Sequence, residues 1–121
     1  MAAHARRHRL RKLAREWKMQ FAPGDRLRLG DRLAGKIPVP GASNIIVYDL
    51  LFDTDGERHR YLFTIAYGIG VIRGKRRRIR VAGFQEPVSR GGGFSLDCIL
   101  TLAPADMNIE KAYMHVRDEL K

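Results

Sequence analysis

The sequence predicts an α+β fold: an antiparallel four- to five-stranded meander sheet with an N-terminal basic helix and a C-terminal amphipathic helix. Residues 45–67 hold two alternating apolar segments around an Asp-Gly dipeptide, which is typical of a β-hairpin. Both ends of the chain show apolar residues at helical spacing instead. The length of 121 residues fits a single domain, 1–121. We expect the basic helix within 1–22, the sheet within 25–102 and the last helix within 106–120.

The N-terminal helix is predicted over residues 5–21, ending before Pro23-Gly24. Arginine and lysine fill most of its remaining surface, so this helix is both amphipathic and strongly basic. Its predicted core positions are Leu10, Leu13, Ala14, Trp17 and Phe21.

The next segment gives weaker signals. Residues 25–29 alternate briefly and predict a short strand. The prolines and glycines of 30–44 predict a loop, with a short edge strand around 36–39.

The hairpin is predicted from strands 45–53 and 58–67 around the sequence "TDGE". Asp55-Gly56 suits the two central positions of a tight turn, and that turn fixes the register. One face of the hairpin is then apolar and should carry the helices. Its predicted cross-strand pairs are Phe52–His59, Leu50–Tyr61, Tyr48–Phe63 and Ile46–Ile65.

The opposite face of the hairpin is expected to point into solvent and to carry opposite charges across the strands. Asp53 should meet Arg58, and Asp49 should lie diagonally from Arg60. Such pairs add about 0.2–1 kcal/mol each.

Two further strands and a helix complete the prediction. Residues 76–84 should form a strand with Ile79 and Val81 inward and alternate arginines outward. Residues 94–102 should form the last strand, and Pro104 and Asp106 should open helix 107–120. The inward positions are Phe94, Leu96, Cys98, Leu100 and Leu102 on the strand, and Ile109, Tyr113, Val116 and Leu120 on the helix.

The net charge of +10 is unevenly distributed. Residues 1–18 carry seven Lys or Arg against one Glu, and residues 73–80 carry six with no acid. A clustered excess of this kind favours a polyanionic partner, either nucleic acid or an acidic protein.

The strand arginines Arg76, Arg78 and Arg80 should form a ladder with a repeat of about 6.6–6.8 Å, comparable to the spacing of phosphates along a nucleic acid strand. Arginine also suits bidentate phosphate contact. The plain alternative is a solvated strand face, neutralised in part by Asp49, Asp53 and Asp97. The predicted phosphate-binding residues are Arg6, Arg7, Arg9, Arg11, Lys12, Arg15, Lys18, Arg58, Arg60, Arg73, Lys75, Arg76, Arg78 and Arg80.

The leading hypothesis is a non-catalytic module that binds nucleic acid or a ribonucleoprotein through phosphate-backbone contacts. The main alternative is a small assembly or inhibitor protein, such as a phage-encoded one, that docks on an acidic partner. Trp17 beside Arg15 and Lys18 would also suit an anionic membrane surface. No apolar run approaches the length of a membrane span, and a single cysteine fits the reducing cytoplasm.

No motif names a reaction, so we expect neither catalysis nor a cofactor. His4 and His8 have a metal-binding spacing, but the surrounding cations repel a metal ion, and no metal site is expected. In size, charge and element order the chain resembles toxin ribonucleases such as the RelE-like and colicin-D-like groups. That resemblance leaves open an RNA-cleaving enzyme in which His59, Arg60 and Lys75 would contact the phosphate.

Overall fold

The computed structural model describes residues 2–69, 77–88 and 99–120. Its strands form one antiparallel sheet in the order β1-β2-β3-β4-β5, which confirms the predicted α+β fold and the meander. Residues 70–76 and 89–98, which include the first residue of the predicted strand 76–84 and the first half of the predicted strand 94–102, lie outside the described residues. The elements are α1 (Ala2–Glu16), β1 (Gln20–Ala22), α2 (Leu29–Leu33), β2 (Ala42–Asp55), β3 (Arg58–Ile69), β4 (Arg78–Pro87), β5 (Thr101–Leu102) and α3 (Ile109–Glu119).

Helix α1 ends well before the predicted stop at Pro23-Gly24. Lys18 adopts a left-handed conformation with φ of 57°. The amide of Met19 donates to the carbonyl of Ala14, and the amide of Lys18 donates to that of Arg15. This is the Schellman pattern, which satisfies the last helical carbonyls and turns the chain. Phe21 therefore lies in β1 and not in the helix.

The predicted strands at 25–29 and 36–39 are wrong. The first overlaps the short helix α2. The carboxylate of Asp25 accepts hydrogen bonds from the amides of Leu29 (2.6 Å) and Gly30 (2.8 Å), which satisfies the first donors of α2. Leu29 and Leu33 are then buried against the sheet.

The β2–β3 hairpin is present, but its register differs from the prediction. Asp55 pairs with Arg58, so the two turn residues are Gly56 and Glu57, with Gly56 at a φ of 66°. Between Leu51 and Asp55, each β2 residue therefore meets a partner two positions further along β3, as Phe52 does with Tyr61. A shift of two positions preserves the faces, because side chains alternate with a period of two.

A β-bulge at Asp49 then reverses the faces of residues 46–48. The register shifts between Tyr48 and Leu51, and Asp49 has a φ of 53°. Beyond the bulge Val47 is buried and Ile46 is 53% exposed. The predicted pairing of Ile46 with Ile65 is therefore wrong, since Val47 takes that place.

The sheet is covered on both faces, whereas the sequence predicted one covered face. One face, which we call the helix face, carries Leu51, Leu62 and Val81 and is covered by α1 and α3. The opposite face, which we call the α2 face, packs against α2 and the chain around it. Residues 61–67 of β3 are consequently all buried. The main α2-face residues are Leu50, Tyr61, Phe63, Ile65, Tyr67, Ala82, Phe84 and Leu100.

Helix α3 begins later than predicted and packs closely on the sheet. Asn108, not Asp106, caps it by accepting from the amides of Glu110 and Lys111. The predicted stripe is confirmed, with Tyr113, Val116 and Leu120 buried. A Cβ at Gly83 would come within 2.6 Å of Val116, so this glycine permits the close approach of α3.

Candidate functional site

Asp49 joins α1 to the sheet. Its carboxylate is fully buried, although the sequence predicted an outward position. Arg6 donates through Nε to Asp49 Oδ2 at 2.8 Å, and Nε of Arg7 lies 3.7 Å from Oδ1. A buried carboxylate requires such cationic partners. Arg6, predicted to bind phosphate, therefore holds the helix in place, whereas Arg7 makes a longer contact and its side chain is 47% exposed.

The backbone of Asp49 connects two further elements. Its amide donates to the carbonyl of Pro23, and its carbonyl accepts from the hydroxyl of Tyr113 at 2.7 Å. The Tyr113 hydroxyl is then free to accept from the hydroxyl of Thr64. Burial raises the pKa of Tyr113 well above its ordinary value. The bulge is thus the point where α1, α3 and the sheet meet.

Arg58 and Arg60 are also occupied within the fold. Arg60 forms a two-point ion pair with Asp53, at 3.0 Å from Nε and 2.7 Å from Nη2. The hydrogen bond to Asp53 raises the pKa of Arg60 further. Arg58 donates to the side chain of Gln85 and to the carbonyl of Leu120. Neither guanidinium is presented to a ligand as the sequence predicted.

A second buried ion pair lies on the α2 face and was not predicted. Arg32 donates to both carboxylate oxygens of Glu86, at 3.1 and 2.7 Å. The hydroxyl of Tyr61 donates to the same carboxylate, and burial is the main cause that raises the pKa of Tyr61 to about 12. The sequence did contain a signal for this second covered face. The apolar run 61–67 indicates a strand that is buried on both faces.

Arg80 departs from the predicted ladder of arginines in solvent. The guanidinium of Arg80 is half-buried and donates twice to the carbonyl of Ala103, at 2.9 and 2.7 Å. Arg78 is exposed and pairs with no carboxylate in the described part of the chain. Ala82 and Phe84 continue the arginine face, and both are buried. Arg73, Lys75 and Arg76 lie outside the described residues.

The outward side of α1 keeps its cations available. We define the outer stripe as His8, Arg11, Lys12 and Arg15, which recur at i, i+3, i+4 and i+7 opposite the buried Leu10, Leu13 and Ala14. All four stripe residues are exposed, and none forms an ion pair with a carboxylate among the residues described. The stripe extends over about 10 Å of helix at 1.5 Å per residue.

The neighbours of the outer stripe are partly engaged. The guanidinium of Arg11 lies 5.3 Å from the ring centre of Phe21, which leaves its outward edge open. Arg9, at the side of the helix, pairs with Glu110 at 2.9 Å. Lys18 follows the helix and is exposed without a carboxylate partner in the described ranges.

His59 and Arg60, two of the three residues expected for RNA cleavage, lie on opposite faces of β3. His59 accompanies Tyr61 on the α2 face, with the ring centres 6.4 Å apart, and its Nδ1 lies 2.7 Å from the hydroxyl of Thr54. Arg60 is adjacent in the strand and points to the helix face. Lys75 lies outside the described residues. His59 and Arg60 therefore cannot contact the same phosphate.

Comparison of the chain with protein-family models, with curated proteins and with solved structures finds no match. Among the residues described, no helix has both the length and the apolar character needed to cross a membrane. The geometry of the side chains is thus the basis for assigning a function.

Proposed function

We propose that this protein is a non-catalytic module that binds the phosphate backbone of nucleic acid through the outer stripe of α1. The observation that supports this proposal is which cations remain exposed in the folded protein. Arg6, Arg32 and Arg60 are occupied by carboxylates, whereas Lys12 and Arg15 remain exposed on one side of a helix. Four basic or titratable side chains within about two helical turns provide a compact anion-binding surface.

The composition of the outer stripe favours phosphate over other anionic partners. It contains no apolar side chain that could enter a membrane interface, because Trp17 packs against the buried residues of the helix face. Phosphate contacts position a protein without specifying sequence. Binding should accordingly show little sequence preference, and the single cysteine is consistent with action in the cytoplasm.

The salt dependence of binding to a short DNA duplex tests this proposal. Each phosphate contact contributes about 0.9 to the slope of the logarithm of affinity against the logarithm of salt concentration. The double variant Lys12→Gln/Arg15→Gln should lower the slope by about two and weaken binding of unrelated sequences to a similar extent.

The matched control is Arg26→Gln/Lys111→Gln, which removes the same charge from exposed positions away from the outer stripe. The control should change the slope by much less than the stripe variant. Equal losses for the two double variants would show that net charge alone drives binding. An unchanged slope in the stripe variant would also overturn the proposal.

A further inference from the structure

An exposed apolar row crosses the helix face beyond the cover of α1 and α3. Ile46 pairs with Ala66, and Ala66 pairs with Ile79, so the three residues form one cross-strand row. The two isoleucines are 53% and 51% exposed, and the small Ala66 lies between them at 7%. Neighbouring strands lie about 4.8 Å apart, so the two exposed isoleucines stand about two strand spacings apart on either side of the buried Ala66.

Arginines border this row on two sides. The guanidinium of Arg77 reaches across β3 and donates to the carbonyls of Asn44 and Ala66. On the other side Arg6 lies over the ring of Tyr48, at 5.4 Å from its centre. Tyr48 pairs with Thr64 in the next row of the same face.

Burial raises the pKa of Tyr48, and the positive charges of Arg6 and Arg77 act in the opposite sense. Asp49 is the nearest carboxylate on this strand, and it is buried and already paired with Arg6. The row is therefore an apolar strip with a cationic border.

We propose that this strip, formed by Ile46, Ala66 and Ile79, docks a segment of a partner protein whose apolar side chains are flanked by carboxylates. The two exposed isoleucines would contact the partner's aliphatic or aromatic side chains, and Arg77 would pair with its carboxylates. This function is separate from phosphate binding by the outer stripe of α1.

Charge and surface chemistry favour this occupant over two others. A second copy of the chain would bring Arg77 near an equivalent cation, which opposes self-association. Nucleic acid bases bind by stacking on aromatic rings, whereas the exposed side chains of the row are aliphatic and the nearby ring of Tyr48 has a guanidinium over it. Isolated exposed apolar residues are common, but two isoleucines in one row with a cationic border form a defined surface.

Selection of a random peptide library displayed on phage tests the proposal with the intact protein as bait. Enriched peptides should combine apolar residues with neighbouring Asp or Glu. Their affinity should fall about tenfold or more in Ile46→Ser/Ile79→Ser, and several-fold in Arg77→Gln. The control Met114→Ser, at a residue of similar exposure on α3, should leave affinity unchanged.

Folding and specificity are measured on the same variants. Urea unfolding midpoints should match those of the unsubstituted protein, because the substituted isoleucines are half-exposed. Lys12→Gln/Arg15→Gln should retain peptide binding, which separates this surface from the outer stripe. Failure to enrich acidic apolar peptides would overturn the proposal, as would equal binding to Ile46→Ser/Ile79→Ser.

Discussion

The arginines of this protein divide into two groups with different surroundings. Arg6, Arg32 and Arg60 each contact a carboxylate that is buried or nearly so. The cations of the outer stripe, Arg11, Lys12 and Arg15, are exposed and contact no carboxylate in the described part of the chain. The first group holds the elements together, and the second is available to a ligand.

The difference depends on the position of the acids and not on the number of basic residues. Asp49 and Glu86 are 0% and 3% exposed, so each requires an adjacent cation to offset the loss of hydration. Their partners are consequently fixed by folding. Charge clusters along a sequence therefore overestimate the surface available to a polyanion.

Removal of Arg32 should produce the largest loss of stability. Arg32→Met retains much of the side-chain volume but leaves Glu86 buried, with the hydroxyl of Tyr61 as its one remaining partner in the described part of the chain. Breaking one side of a buried pair costs about 3–5 kcal/mol. Urea unfolding should show a decrease in this range.

The matched control for Arg32 is Arg15→Met on the outer stripe, which should change the free energy of unfolding by less than about 0.5 kcal/mol. The double variant Arg32→Met/Glu86→Met should recover part of the loss, since it replaces the ion pair by apolar side chains but leaves the Tyr61 hydroxyl without its acceptor. Similar losses for Arg32→Met and Arg15→Met would remove the distinction between the two groups.

Asp49→Asn should have a smaller effect, because asparagine tolerates the left-handed conformation at the bulge. The substitution removes the charge that holds Arg6, and a hydrogen bond to a charged group contributes about 1.5–3 kcal/mol. Unfolding free energy should fall by about this amount. Amide hydrogen exchange should increase first in the N-terminal turns of α1.

Asp55→Asn is the control for Asp49, since Asp55 is exposed and lies 3.7 Å from Arg58. A surface pair of this kind contributes about 0–1 kcal/mol. Faster exchange in α1 should therefore be confined to Asp49→Asn. Unchanged exchange in that variant would contradict the role of Asp49 as the attachment of α1.

The sequence alone predicted the features that depend on residues close together in the chain. Alternation around Gly56 predicted the hairpin, and the spacing of Tyr113, Val116 and Leu120 predicted the buried side of α3. Short connections between strands predicted the meander, because consecutive antiparallel strands usually pair. These features depend on neighbouring residues and on little else.

The features that were missed depend on contacts between distant residues. Nothing local marks Asp49 as a buried bulge, since its burial depends on Arg6 and Tyr113. The second covered face exists because α2 packs against β3 and β4. It was missed because residues 25–29, which lead into α2, alternate as a strand would. The predicted ladder failed at Arg80 because the carbonyl of Ala103 lies beside it.

The most direct test of the account is an amide and side-chain NMR titration of the protein with a short DNA duplex. The largest shift changes should fall on residues 8–18, and the Nε–H signals of Arg32 and Arg60 should remain in place. The largest changes at Arg78 and Arg80, with α1 unperturbed, would contradict the assignment of binding to the outer stripe.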